Sequence, residues 1–233
     1  MTPVSARRLL LFDIDGTLIS SFGRGGKAML RALHTEFGHR FEATLHDFAG
    51  STDRQIVHTL IDKHRVVVDD MEATVDRVMG HYERYLAESI HAPEHVEVKP
   101  GIPALLDAVG NGRYGKGLLT GNIAAGARIK LTPANLYHHF PFGAFGSDAV
   151  DRNLLPPIAV RRAERHHGER FDPERVWVIG DTPRDIECGR VNGYRTLAVA
   201  TGGYSPENLA EHEPDALFHD LSDLDAVLET LEG

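Results

Sequence analysis

Cysteine, long apolar runs and excess positive charge are what this sequence lacks. The single cysteine, Cys188, leaves no disulfide framework and no cysteine-based zinc site. No apolar run approaches the roughly 18–20 residues that span a bilayer. The first residues, Met1 to Arg8, carry no secretory leader pattern. Basic residues are outnumbered, 25 Lys+Arg against 34 Asp+Glu, for a formal charge of −9. That balance argues against nucleic acid and against a membrane surface as partners, because polyanions need a basic face. What is present is ordinary for a globular chain: 233 residues, 42% hydrophobic and 25% charged. A core of that size is stabilised by burial alone. The expectation is a soluble, cytoplasmic protein of one large domain or two unequal ones.

Short, dense apolar runs alternate with helical patterns, which predicts an α/β fold: a doubly wound parallel, Rossmann-like sheet. The clearest strands are Leu9–Phe12, Gly117–Leu119, Val176–Ile179 and Thr196–Val199, with weaker ones at Ala144–Phe145 and Ala216–Phe218. Between the first two lies a helical block. Met71, Val75, Val78, Met79, Tyr82, Tyr85 and Leu86 follow the spacing of one buried helix face. Ile56, Val57, Leu60 and Ile61 repeat that pattern, as do Met29, Leu30, Leu33 and Phe37. Gly23, Gly25 and Gly26 precede the block; Pro93, Pro100, Gly101 and Pro103 follow it as linkers. The division expected is an α/β core over 1–20 and 97–233, with an inserted α-helical cap domain over 21–96.

Three strong strands end in oxygen-bearing side chains: Asp13 after Phe12, Thr120 after Leu119, and Asp181 after Ile179-Gly180. Ligands of parallel α/β sheets bind beyond the strands' carboxyl ends, so these form a candidate site. Each alone also suits a turn or helix cap. Asp13-Ile14-Asp15-Gly16-Thr17 sharpens the case. Residues two apart in extended chain point the same way. Two ionised carboxylates held together then need a cation or a shared proton. Gly16 lets the backbone turn and present amides to an anion. Asp181 and Asp185 share one face of a helical turn, although Asp185 also suits a plain helix start. Asp13, Asp181 and Asp185 are hard oxygen donors of the kind that hold Mg²⁺.

Asp13-x-Asp15-Gly16-Thr17, Thr120 after an apolar strand, and Gly180-Asp181-x-x-x-Asp185 resemble motifs I, II and IV of the haloacid dehalogenase-like hydrolases. The helical insert resembles their C1-type cap, and the general look is that of phosphoglycolate phosphatase-like members. The resemblance implies a Mg²⁺-dependent phosphatase acting on a small phosphorylated metabolite. Asp13 would be the nucleophile that forms an aspartyl-phosphate, and Asp15 the general acid/base. Thr120, Gly121 and Asn122 would bind the phosphoryl group. Asp181 and Asp185 would hold Mg²⁺ with Asp13 and the backbone carbonyl of Asp15. Dehalogenases of the same superfamily lack the second acid, so Asp15 favours an alcohol leaving group.

The resemblance is incomplete at motif III, usually a lysine between motifs II and IV. No lysine follows Lys130, and Lys130 comes too soon after Thr120. Arg152, ahead of the helical run from Ile158, is the expected cation, although arginine is no neutral replacement for lysine. In the cap, Gly50-Ser51-Thr52-Asp53-Arg54 enters a helix. Arg54 is a candidate substrate contact, against a plain cap at Ser51 or Asp53. The pairs His138-His139 and His166-His167 are set aside as metal ligands. Trp177 is read as core, Cys188 as a buried inert thiol and Arg161-Arg162 as a solvated face. Two rivals remain: a phosphomutase resembling β-phosphoglucomutase, and a non-catalytic phosphate-binding or signalling module.

Overall fold

The computed structural model describes residues 7–233. The leader reading of the first residues and the start of the 1–20 core segment lie outside them. In chain order the elements are β1 (Arg8–Phe12), β2 (Ile19–Ser20), α1 (Arg24–Phe37), α2 (Leu45–Phe48), α3 (Asp53–Lys63) and α4 (Met71–Ser89). There follow β3 (Glu97–Val98), α5 (Ile102–Ala108), β4 (Tyr114–Leu119), α6 (Ala124–Leu131), β5 (Phe142–Ala144) and α7 (Leu155–His167). The chain ends with β6 (Val176–Gly180), α8 (Pro183–Val191), β7 (Arg195–Val199), α9 (Pro206–Ala210), β8 (Ala216–Phe218) and α10 (Leu224–Glu232).

The strands are apolar throughout because the sheet they form is covered on both faces. It has six strands in the order β5-β4-β1-β6-β7-β8, all parallel. Alternation along β1 divides the core. Leu10 and Phe12 pack with Trp177 and Ile179 against residues of α5, α6 and α10. Leu9 and Leu11 face the other way, with Val176 and Val178, onto α7 and Cys188. Trp177 and Cys188 are both buried, and burial pushes the Cys188 thiol up to about 12, so it stays protonated. Of the arginine pair read as solvated, only Arg161 is exposed; Arg162 reaches Asp148 and the Gly143 carbonyl.

Helices α1, α3 and α4 pack through the periodic faces read from the sequence, with Met29, Leu33, Ile56, Val57, Val75, Val78 and Tyr82 all buried, and the short α2 lies beside α3. They are reached through two linkers that run side by side. Ile19 pairs with Val98 and Ser20 with Glu97, making a two-stranded antiparallel ribbon of β2 and β3. Among the described residues no helix is long and apolar enough to cross a membrane.

Candidate active site

Register brings the polar strand ends to one level. Phe12 pairs with Leu118 on β4 and with Ile179 on β6. The next residue on each strand, or the one after, is therefore delivered to the same edge. Asp13 donates its amide to the Ile179 carbonyl at 2.9 Å. The chain then turns tightly, with Leu18 and Ile19 both donating to the Ile14 carbonyl. Gly16 has φ of +90°, and a Cβ there would overlap the Asp181 carboxylate. A Cβ on Gly202 would collide with the same carboxylate. These two glycines are needed because the backbone closes around Asp181 from both sides.

Asp13, Asp181 and Asp185 are buried and present carboxylate oxygens within 4.8 Å of one another. Burial raises the Asp13 carboxyl to about 7, helped by Asp185 and opposed by Arg152. Burial, then Asp185 and Asp13, raise Asp181 well above the usual carboxylate range. Three carboxylates crowded out of water favour a bound cation. The all-oxygen donor set fits Mg²⁺. None of the histidine pairs joins this cluster among the described residues.

The cluster is not symmetric. Asp13, Asp15 and Asp181 line the cavity above the sheet edge; Asp185 stands behind it. Asp185 is N3 of α8, and its Oδ2 accepts from the Thr182 amide at 3.0 Å and hydroxyl at 2.6 Å, as a capping box. Its Oδ1 is bound by Arg152. Arg152 is the deep cation of the site: buried, with Nη2 3.3 Å from Asp13 Oδ1 and Nη1 donating to the Gly50 carbonyl at 3.1 Å.

A second cation serves Asp15. Lys130, near the end of α6, places Nζ 2.6 Å from Asp15 Oδ2 and 2.6 Å from Asn122 Oδ1. Asn122 Nδ2 also donates to Asp15 Oδ2, at 2.8 Å. Lys130, set aside for motif III on its spacing, reaches the site through the other carboxylate. Asn122 and Gly121 line the cavity. Thr120 does not: it is fully buried, and its hydroxyl accepts from the side-chain amide of Asn122 at 2.8 Å.

The loop entering α3 is fastened to this edge. Thr52 caps α3, one residue from each of the two expected caps, and its hydroxyl donates to the Val150 carbonyl at 2.6 Å. Asp53 turns inward. Its amide donates to the Gly121 carbonyl at 2.7 Å, and its Oδ2 accepts from the Ile123 amide at 2.8 Å. Tyr82 hydrogen-bonds the same carboxyl, and burial raises Asp53 to about 6. Arg54, one step further round the helix, points the other way. It pairs with Glu72 and Asp76 of α4, each at 2.6 Å, and does not line the cavity. The structure thus places Asp53, not Arg54, at the site. Asp53, read as a cap, Tyr82, read as core, and Lys130, set aside for motif III, meet at this site, because sequence spacing does not show which buried polar tip turns toward Asp15.

A family model for haloacid dehalogenase-like hydrolase matches residues 10–199, and the chain belongs to that family. It is similar to a phosphoglycolate phosphatase of Aliivibrio fischeri, 22% identical over 95% of this chain and 96% of that protein. It is also similar to the pyrophosphatase PpaX of Bacillus cereus, 24% identical over 94% of this chain and 95% of that protein. Among solved structures, a hydrolase from Pseudomonas syringae superposes with a TM-score of 0.75 at 19% identity, covering 96% and 98% of the two chains. That likeness supports the α/β fold.

Proposed function

We propose that this chain is a Mg²⁺-dependent phosphatase that cleaves a small phosphate monoester through an aspartyl-phosphate on Asp13. The observation that carries the reading is the pairing of each motif I carboxylate with its own cation, Asp13 with Arg152 and Asp15 with Lys130. A single carboxylate would suffice for attack alone; two separately held ones suit attack and proton transfer. The family membership and the phosphatase names among its relatives support the same reading.

In this mechanism an Asp13 carboxylate oxygen attacks phosphorus and the ester P–O bond breaks. Asp15 gives its proton to the departing alcohol oxygen. The carboxylate left behind is stabilised by Lys130 and Asn122, which favours that transfer. Asp15 then takes a proton from water as the water attacks phosphorus; the aspartyl P–O bond breaks and inorganic phosphate leaves. Arg152 orients Asp13 and offers charge to the phosphoryl oxygens, while Asp185 fixes Arg152. Gly121 and Asn122 line the phosphate side. Mg²⁺, held by Asp13 and Asp181, would neutralise charge between nucleophile and phosphate. Residues 21–96 act as the cap, shielding the intermediate from bulk water and opening for release.

The test is phosphate release from a panel of phosphoesters with and without Mg²⁺, beside Asp13→Asn. Turnover that requires the metal and falls about 10⁵-fold or more in the variant is the expected result. Phosphate returned to a sugar instead of water would indicate a mutase. Stoichiometric labelling without turnover would indicate a signalling module.

A further inference from the structure

The cavity holds about 310 Å³, at the small end of the roughly 300–1,000 Å³ typical of ligand sites. Its two sides differ in chemistry. The core side carries the charges. The cap side presents Met29 of α1, Leu45 and Phe48 of α2 and Ile56 of α3, with Phe22 at the mouth. Phe22 and Leu45 are 54% and 65% exposed, large apolar side chains standing open at the entrance. Gly25 and Gly26 also line this wall and offer no side chain to a hydroxyl or an anion.

Among the described residues lining the cavity, Lys130 and Arg152 alone are lysine or arginine, and both come from the core. Both are engaged: Arg152 by Asp13 and Asp185, Lys130 by Asp15 and Asn122. Two polar side chains that the cap helices and the loop entering α3 add are committed too. Tyr82 bonds Asp53, and the Ser51 hydroxyl accepts from Arg184. A carboxylate or second phosphate set against this wall would lose its water and gain no cation. Hydroxyls set against Met29, Leu45, Phe48 and Ile56 would go unpaired there.

Building on the phosphatase reading, we infer that the alcohol released here is small, uncharged and apolar, a single ring or a short branched chain. Hydroxy acids, a second phosphate and sugars are disfavoured leaving groups. The relatives' names point elsewhere, so the inference separates this chain from them on its own residues.

The experiment compares kcat/KM of the full chain with Mg²⁺ on benzyl phosphate, 2-phosphoglycolate, glucose 6-phosphate and inorganic pyrophosphate. The first three release primary alcohols, so their intrinsic reactivity is comparable. Benzyl phosphate is expected to exceed each of the others by about tenfold or more, mainly through KM. Equal or better use of phosphoglycolate, glucose 6-phosphate or pyrophosphate overturns the inference and leaves the phosphatase reading standing. No phosphate from any of them overturns both. Phe48→Arg puts a guanidinium in the wall and is expected to shift the benzyl-to-phosphoglycolate ratio about tenfold toward the acid. Leu45→Arg, at an exposed position, shifts it the same way by less and serves if the first variant does not fold. A ratio unmoved in a folded variant overturns the inference.

Discussion

Two carboxylate–cation pairs stand at opposite sides of one loop. Asp13 and Arg152 are both buried in the floor, where Arg152 spans Asp13 and Asp185. Asp15 and Lys130 lie at the seam beside α1 and α4; the lysine side chain is 5% exposed and the aspartate 41%. The first pair cannot separate without stranding charge in the interior. The second has one member open to the cavity. On the proposed mechanism the difference teaches how one DxD motif supplies two chemistries: Asp13 is held in the floor, and Asp15 faces the cavity, gripped at Oδ2 by Lys130 and Asn122 and met at Oδ1 only by Ser21 at 3.5 Å.

Substitution of the cations sharpens the contrast. Arg152→Met leaves Asp13 and Asp185 without their buried cation. It is expected to lower stability by about 3–5 kcal/mol and to abolish turnover; urea unfolding and phosphate release read both. Lys130→Met acts at the half-open pair. Its expected cost is roughly 1–2 kcal/mol, with kcat down about 10–100-fold and metal-dependent stabilisation retained. Equal effects from the two variants would erase the distinction drawn between floor and seam.

Proton linkage gives a third, smaller effect. Asp13 is held near 7 in the fold against an ordinary 3.8, and Asp53 near 6. The folded protein therefore binds protons that the unfolded chain has released. The stability these groups contribute is full below 3.8 and is lost as pH rises through about 6 and about 7. Asp13→Asn removes the larger part. In metal-free buffer its melting temperature should gain on the wild type as pH goes from about 5 to 8, and added Mg²⁺ should narrow the gap. A pH-independent difference would mean that Asp13 titrates as an ordinary carboxylate. The smallest effect belongs to Arg54→Ala. Its ion pairs with Glu72 and Asp76 involve partners 65% and 68% exposed. A loss within about 1 kcal/mol and unchanged kinetics are expected.

Much of this arrangement is legible in the chain. The strands announce themselves because a doubly covered sheet demands apolar residues on both faces, and two of the four strong strands stop at a carboxylate that lines the cavity, Asp13 and Asp181. Asp13 and Asp181 are read from that punctuation, and Asp15 from its spacing two residues after Asp13 and from the resemblance. Asp185 is read as a metal ligand or a helix start, and the structure gives its oxygens to a capping box and to Arg152. What escapes is set by tertiary direction. Lys130 in a last helical turn looks like any dipole-favoured cation, and only the packing of α6 against α4 carries its tip to Asp15. Asp53 and Arg54 are adjacent, and nothing in their spacing says which faces inward. Tyr82 counts correctly as a core residue while its hydroxyl does separate work.

The ribbon of β2 and β3 has a consequence for how such a chain can change. Because Ile19 and Val98 are hydrogen-bonded neighbours, the chain leaves the sheet domain and returns to it at nearly the same point. Whatever is spliced between them, long or short, meets a fixed socket and leaves the order of the six strands untouched. Recombination at that joint could exchange the wall of the cavity while inheriting the chemistry of its floor intact.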